Sequence, residues 1–155
     1  MYTVSTDLIL RQMKIEDVAN VMAIETMAYT FPWTQKIFHD CLKVGYEACF
    51  AEKQGKLIGY GIISIAAREA HILNLCVHPH WQKRGYGEQI LRHLLDKAKL
   101  KQVDTIFLEV RISNQTAIDL YQKIGFNQIG LRHHYYPNGP HRREHALVFA
   151  LSLME

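Results

Sequence analysis

The stretch "AHILNLCVHPHWQKRGYGEQIL" runs an apolar strand pattern through a turn and straight into an amphipathic helix pattern. The turn carries Lys83, Arg84, Gly85, Tyr86 and Gly87. Glycine in a helix interior costs about 1 kcal/mol relative to alanine, so two of them at a helix mouth need a compensating use. A helix start exposes unpaired N–H groups and a partial positive charge. It holds a phosphate when the backbone can come close, and glycine permits that approach. Gln82 to Glu88 therefore reads either as a phosphate cradle or as a plain tight turn with solvated cations. It is not a Walker A loop, since G-x-x-x-x-G-K-[ST] is absent. The third glycine and the distant acidic residue of the dinucleotide fingerprint are also missing.

The rest of the chain fits around this junction. Strand patterns fall on "TDLILRQM", "YEACFAEK", "KLIGYGIISIAA", "AHILNLCVH", "DTIFLEVR", "NQIGLRHHYY" and "EHALVFALSL". Helical spacing places Val18, Val21, Met22 and Met27 on one face of "KIEDVANVMAIETMAY". Pro32 then breaks the pattern, and Thr34 can cap "QKIFHDCLKV". A third helix runs from about Gly85 to Leu100. A fourth starts at Ser113 or Asn114 and stops at Gly125. Gln54-Gly55 joins two strands as an antiparallel hairpin, and "PNGPHRR" joins the last two. "AHILNLCVH" is so apolar that both its faces should be buried. The expected order is β-α-α-β-β-β-α-β-α-β-β, an α/β chain with a mixed sheet.

Bulk properties limit the function. The chain's 155 residues suit one domain spanning 1–155. No apolar run reaches the ~18 residues that cross a bilayer, and "MYTVSTDLIL" lacks the basic start and cleavage site of a signal peptide. Three cysteines without a C-x-x-C pair argue against a disulfide framework. A cytoplasmic protein is expected. A net charge of +3 is small for a nucleic-acid binder. His141 and His145 lie four apart in "HRREH", but no carboxylate or cysteine completes a metal site, so none is expected.

Two side chains suggest acid–base chemistry. Glu109 lies in the otherwise apolar "TIFLEV", where a carboxylate is costly unless used or paired. It reads as a general base, or as a partner of Arg111 on the same strand face. Tyr121 lies beside the apolar stripe Ala117, Leu120 and Ile124. It reads as a proton donor or as a core tyrosine. Asn114 reads as a helix cap. Cys76 has no nearby His or Asp that would make it an acyl carrier. "FPW" and "HHYYP" are aromatic breaks that either wall a groove or simply cap turns.

"QKRGYG", with its strand before and helix after, resembles the Gln/Arg-x-x-Gly-x-Gly/Ala acetyl-CoA motif of the GNAT N-acetyltransferases. "LEVRISNQTAIDLYQKIGF", Leu108 to Phe126, is similar to the segment by which the ribosomal-protein alanine acetyltransferases are recognised. "AYTFPWTQKIF" and "RHHYYPNGPHRREHALVFAL" also resemble that subfamily, the last with a more basic loop. The resemblance implies a GNAT fold with a mixed, mostly antiparallel sheet, splayed at its central strands and flanked by about four helices. It implies direct acetyl transfer from acetyl-CoA, without a metal, to the N-terminal alanine of a small-subunit ribosomal protein. Another amine, such as a lysine side chain or a polyamine, is the alternative acceptor. Glu109 would be the base and Tyr121 the acid. Leu75, Cys76, Val77, Lys83, Arg84, Gly85, Tyr86, Gly87, Glu88 and Asn114 would hold the cosubstrate. Glu25, Phe31, Trp33, Tyr135 and Tyr136 would meet the acceptor protein. The resemblance calls for no membrane or nucleic-acid contact, and the oligomeric state is left open, a monomer included.

Overall fold

The structure, a computed structural model, describes residues 8–154. Thr6 and Asp7 of the expected first strand lie outside the described residues. The elements follow in the expected order: β1 (Ile9–Gln12), α1 (Val18–Ala28), α2 (Gln35–Lys43), β2 (Glu47–Lys53), β3 (Lys56–Ala66), β4 (Glu69–Val77), α3 (Tyr86–Leu100), β5 (Thr105–Arg111), α4 (Gln115–Ile124), β6 (Asn127–Pro137) and β7 (Arg143–Ser152). Short 3₁₀ turns at Ile15–Asp17 and Pro79–Trp81 precede α1 and α3. The strands lie in the order β1-β2-β3-β4-β5-β7-β6. The ladders of β1 with β2, β2 with β3, β5 with β7 and β6 with β7 are antiparallel. β4 and β5 are parallel, as the intervening helix requires. Their ladder pairs Glu69, Ala70 and His71 with Thr105, Ile106 and Phe107.

The chain forms two compact units. One comprises the residues up to Ile63 together with Asn74–Lys97; the other comprises Ser64–Leu73 and the chain from Ala98 onward. In the first, α3 buries Ile90, Leu91, Leu94 and Leu95. This stripe lies against β3, where a side chain at Gly61 would meet Leu94 and Ile90 at 2.8 and 3.0 Å. Gly59 is under tighter constraint: a Cβ there would stand 2.5 Å from the Cys76 carbonyl oxygen. The hydrogen bond from the His78 N–H to the Ile58 carbonyl (2.8 Å) holds the end of β4 at that distance.

The first unit is also tied by a buried carboxyl group. Glu25 is 1% exposed. Its Oε1 accepts from the Tyr60 hydroxyl (2.6 Å) and from Asn74 Nδ2 (3.1 Å); its Oε2 accepts from the Trp33 N–H (2.9 Å). One side chain on α1 thereby fixes β3, β4 and the "FPW" loop. The apolar stripe of α1 is Val18, Val21 and Ile24, with Glu25 beside them. Met27, expected on that face, is 59% exposed. Met27 follows Val18 by nine residues, two and a half turns at 3.6 residues per turn, so it points to the opposite side of the helix. The helix ends at Ala28, where Tyr29 turns extended ahead of Pro32. Its hydroxyl donates to the Leu75 carbonyl (2.9 Å).

In the second unit, β5 buries Ile106, Leu108 and Val110 on one face. α4 starts at Asn114, whose side chain accepts from the Ala117 N–H, and stops at Gly125 in the left-handed region (φ 117°). Two sequence expectations change here. β4 is not buried on both faces: Ala70, Ile72, Asn74 and Cys76 are buried, while His71, Leu73, Leu75 and Val77 are half-buried. On α4 the buried stripe is Ile118 and Tyr121, flanked by the half-buried Ala117, Leu120 and Ile124. Tyr121 therefore sits at the centre of the stripe, with its ring against Phe126 and Phe149.

Truncating Glu25 to alanine leaves three donors without their acceptor. At about 1–3 kcal/mol for each buried group left unsatisfied, Glu25→Ala is expected to lower the unfolding free energy by at least about 3 kcal/mol in urea titration.

Candidate active site

The expected site residues form two groups, one in each unit. In the first unit the chain leaves β4 at Val77 and enters α3 at Tyr86 through a turn braced from several sides. The Gln82 amide donates to the Val77 carbonyl (3.0 Å), and His78 Nδ1 accepts from the His80 N–H. The Arg84 guanidinium lies over the Trp81 ring (4.9 Å), and Trp81 meets Tyr86 edge-on. Lys53 reaches over from β2 to donate to the Tyr86 hydroxyl (2.8 Å). Lys83 (φ 64°) and Gly85 (φ 85°) both adopt the left-handed region. A turn that passes in and out of the left-handed region can present backbone N–H groups on one concave face suited to anions. Nothing lies within 4 Å of where a Gly85 side chain would begin. Gly87 and Glu88 follow in the first turn of α3, where Glu88 pairs with Arg92 (3.3 Å). Open space at a helix start, flanked by Lys53, Lys83 and Arg84, suits phosphate groups.

Upstream of the turn, Leu75 and Val77 already accept hydrogen bonds from Tyr29 and Gln82 through their carbonyls. Burial pushes the Cys76 thiol up to about 11, so it stays protonated at neutral pH and is a poor nucleophile. Glu25, expected at the acceptor, has both its oxygens engaged by protein donors. Phe31 is 39% exposed, whereas Trp33 packs its ring on Phe38 (5.2 Å).

In the second unit Glu109 lies on β5 with its side chain 8% exposed. One oxygen meets His71 Nε2, and the other meets Arg132 Nε at 3.1 Å. Arg111, the partner considered from sequence, donates to Glu144 (3.3 Å) and to the Pro137 carbonyl (2.9 Å). The hydrogen bond with His71 holds the Glu109 carboxyl below its ordinary value, against the opposing effect of burial; the charges of His71 and Arg132 add to the lowering. Burial raises Tyr121, which keeps its proton through the neutral range.

Tyr135 and Tyr136 sit beyond a bulge. β6 advances four residues, from Arg132 to Tyr136, while β7 advances two, from Ala146 to Glu144. His134 takes up the excess at φ 51°, and its N–H donates to His145 Nδ1 (2.9 Å). Such bulges re-aim side chains. Here they set Tyr135 against Tyr136 (4.9 Å), with Arg132 over the first ring and Arg111 over the second. Glu109 adds to the upward shift of Tyr136, so the carboxylate and this phenol share one neighbourhood. His71, Arg132 and the bulge went unseen in the sequence. The nearest signal was the arginine and two histidines in "RHHYY".

The sequence profile of the acetyltransferase (GNAT) family matches residues 18–126. The chain belongs to that family. It is an acetyl-CoA-dependent N-acetyltransferase. The [ribosomal protein bS18]-alanine N-acetyltransferase of Escherichia coli strain K12 is 37% identical over 130 residues, which cover 84% of this chain and 87% of that protein. The enzyme of the same name from Haemophilus influenzae is 33% identical over 145 residues, covering 94% and 99%. The crystal structure of the Escherichia coli ribosomal-protein-S18-alanine N-acetyltransferase superposes with a TM-score of 0.89 at 33% identity, covering 96% of each chain. The GNAT fold expected from the sequence is therefore the fold observed.

A depressed carboxyl stabilises the folded state only while it is ionised. The contribution of Glu109 is complete above its ordinary value of 4.5 and is lost as pH falls through the lower, folded value. Comparing Glu109→Gln with the parent in urea titrations, from neutral pH down to about pH 3, should show the gap between them shrinking across that acid window.

Proposed function

We propose that this acetyltransferase modifies the N-terminal α-amine of a ribosomal protein that begins with alanine, the homologue of bS18, in the cytoplasm. The observation that carries the reading is the turn before α3, with its open Gly85 and its cations. The named relatives, similar over nearly the whole of both chains, support the choice of acceptor.

Acetyl-CoA, when bound, supplies the acetyl group as a thioester. Lys83, Arg84 and the backbone from Gly85 to Glu88 bind its phosphates, since cations and free N–H groups meet there. The backbone of Leu75, Cys76 and Val77 and the side chain of Asn114 serve the rest of that ligand. Phe31 and Trp33 in the first unit, and Tyr135 and Tyr136 in the second, meet the acceptor chain, and Glu25 holds the Trp33 backbone in place.

Glu109 receives the amine's proton. A carboxylate held below its usual range is a weak base, and the acceptor's chemistry makes that sufficient. An α-amine has a pKa of ~7.7–8.0 against ~10.4 for lysine, so roughly a tenth of it is already neutral at pH 7. Tyr121, still protonated at that pH, donates to the departing sulfur. Cys76 carries no acyl group, since its thiol is protonated.

Valine at position 85 would strain a backbone that glycine alone adopts freely. The strain is worth about 1–3 kcal/mol. Gly85→Val should therefore weaken coenzyme A binding about 5- to 150-fold by calorimetry, and unchanged affinity would remove this turn from the binding site. Glu109→Gln should slow turnover about 10²–10⁴-fold at neutral pH while leaving coenzyme A affinity intact. With a peptide bearing a free N-terminal alanine, the lost rate should return as pH rises through ~8. A lysine acceptor would delay that return to above ~10. A peptide with a blocked N-terminus should not react at all.

A further inference from the structure

Lys53 ends β2, and the hairpin pairs it directly with Lys56, the first residue of β3. Directly opposed residues leave the same face of a sheet, and like charges so placed repel each other. Among the described residues neither lysine is in an ion pair: Glu52, next along β2, faces Arg11 (3.7 Å), and Glu88 in the first turn of α3 pairs with Arg92. Lys53 instead turns to the start of α3. Its Nζ donates to the Tyr86 hydroxyl (2.8 Å) and stands 5.9 Å and 5.4 Å from the centres of the Trp81 and Tyr86 rings. A phenol that accepts from a lysine still has its own proton to donate. Lys53, Lys56 and Tyr86 therefore bring together spare donors and two full positive charges. All three lie in the first unit, beside the turn that carries Lys83 and Arg84.

We propose that Lys53 and Lys56 form a second anion subsite, which takes the 3′-phosphate on the ribose of coenzyme A. This inference rests on the reading of the Gly85 turn as the cosubstrate's phosphate site. That turn suits the pyrophosphate, whose two phosphates are diesters with a single charge each. The ribose phosphate is a monoester and carries a charge of about −1.5 to −2 at pH 7. A compact ammonium with several donors matches such concentrated charge. The ribose alone separates this phosphate from the pyrophosphate, so its subsite has to adjoin the turn. Lys53 meets that requirement through its bond to Tyr86, the first residue of α3. The two aromatic rings beneath its ammonium favour that position of the charge. A dianion between Lys53 and Lys56 also removes the repulsion that the hairpin register otherwise imposes. The lysine pair thus selects coenzyme A over adenine cofactors that lack the 3′-phosphate.

The test is calorimetry with coenzyme A and with 3′-dephospho-coenzyme A, on the parent enzyme, Lys53→Met, Lys56→Met and the double variant. Methionine keeps an unbranched apolar stem and removes the charge. The parent should bind coenzyme A at least about tenfold more tightly than the dephospho form. Lys53→Met should weaken coenzyme A binding about tenfold, and Lys56→Met, at an exposed position, about threefold. Affinity for the dephospho form should stay at the parental value in both. The double variant should bind the two ligands alike. Added salt should shrink the parent's preference for coenzyme A. Equal affinities for the two ligands in the parent, with both weakened by Gly85→Val, would overturn the inference and leave the turn as the pyrophosphate site. An equal loss of both ligands in Lys53→Met would overturn it as well and reduce Lys53 to a brace for Tyr86. A Gly85→Val enzyme with parental affinity for both would remove the turn from the site, and this inference with it.

Discussion

The buried Glu25 carboxyl group is the tie on which the first unit of this chain depends. Burying a carboxyl costs several kcal/mol unless its oxygens are satisfied. Three donors from three separate elements satisfy Glu25. The arrangement exists only when α1, β3, β4 and the "FPW" loop are all in place. It therefore acts on specificity of structure more than on net stability: a slipped strand or a shifted loop would leave the carboxyl uncompensated. The same strands carry the close approach of Gly59 to the Cys76 carbonyl and feed the turn at Gly85. The geometry of that turn follows from how firmly the strands before it are held.

Glu109 shows how partners change the meaning of one residue type. Glu25 meets neutral donors, whereas Glu109 meets an imidazole and a guanidinium. Cations lower a carboxyl's pKa and burial raises it, and at Glu109 the partners prevail. The result is a group that stays ionised at neutral pH. An N-terminal amine, which needs less persuasion to lose a proton than a lysine does, is a chemically consistent acceptor for such a weak base.

Much of this was legible along the chain. All eleven helices and strands appear in the expected order, because their periodicities and punctuation are local properties. Thr34 and Asn114 cap the helices they were expected to cap, and Gly125 ends α4. The turn at Gly85 was readable from two glycines and two cations between a strand and a helix. The less local the fact, the worse it read. Met27 was placed on the wrong face of α1, since a single apolar residue fits more than one helical stripe. β4 was expected to be buried twice over, since composition does not say what covers each face. Arg111 was considered for Glu109 because the two share a strand face, yet it bonds Glu144 on β7.

The sequence by itself determined the elements, their order and the side chains available: a glycine-rich turn with two cations, one carboxylate in an apolar strand, one tyrosine on the following helix. Hydrophobic period, caps and glycines act within a few residues, so a linear reading captures them. Tertiary structure alone decided which charges meet. His71 and Glu109 are 38 residues apart along the chain and touch because β4 and β5 pair in parallel in one register. Arg132 reaches the same carboxylate from β6, and the two-residue excess that directs Tyr135 and Tyr136 exists only relative to β7. Register and bulges are relations between strands, and the balance of burial against charge that sets a pKa depends on neighbours in space.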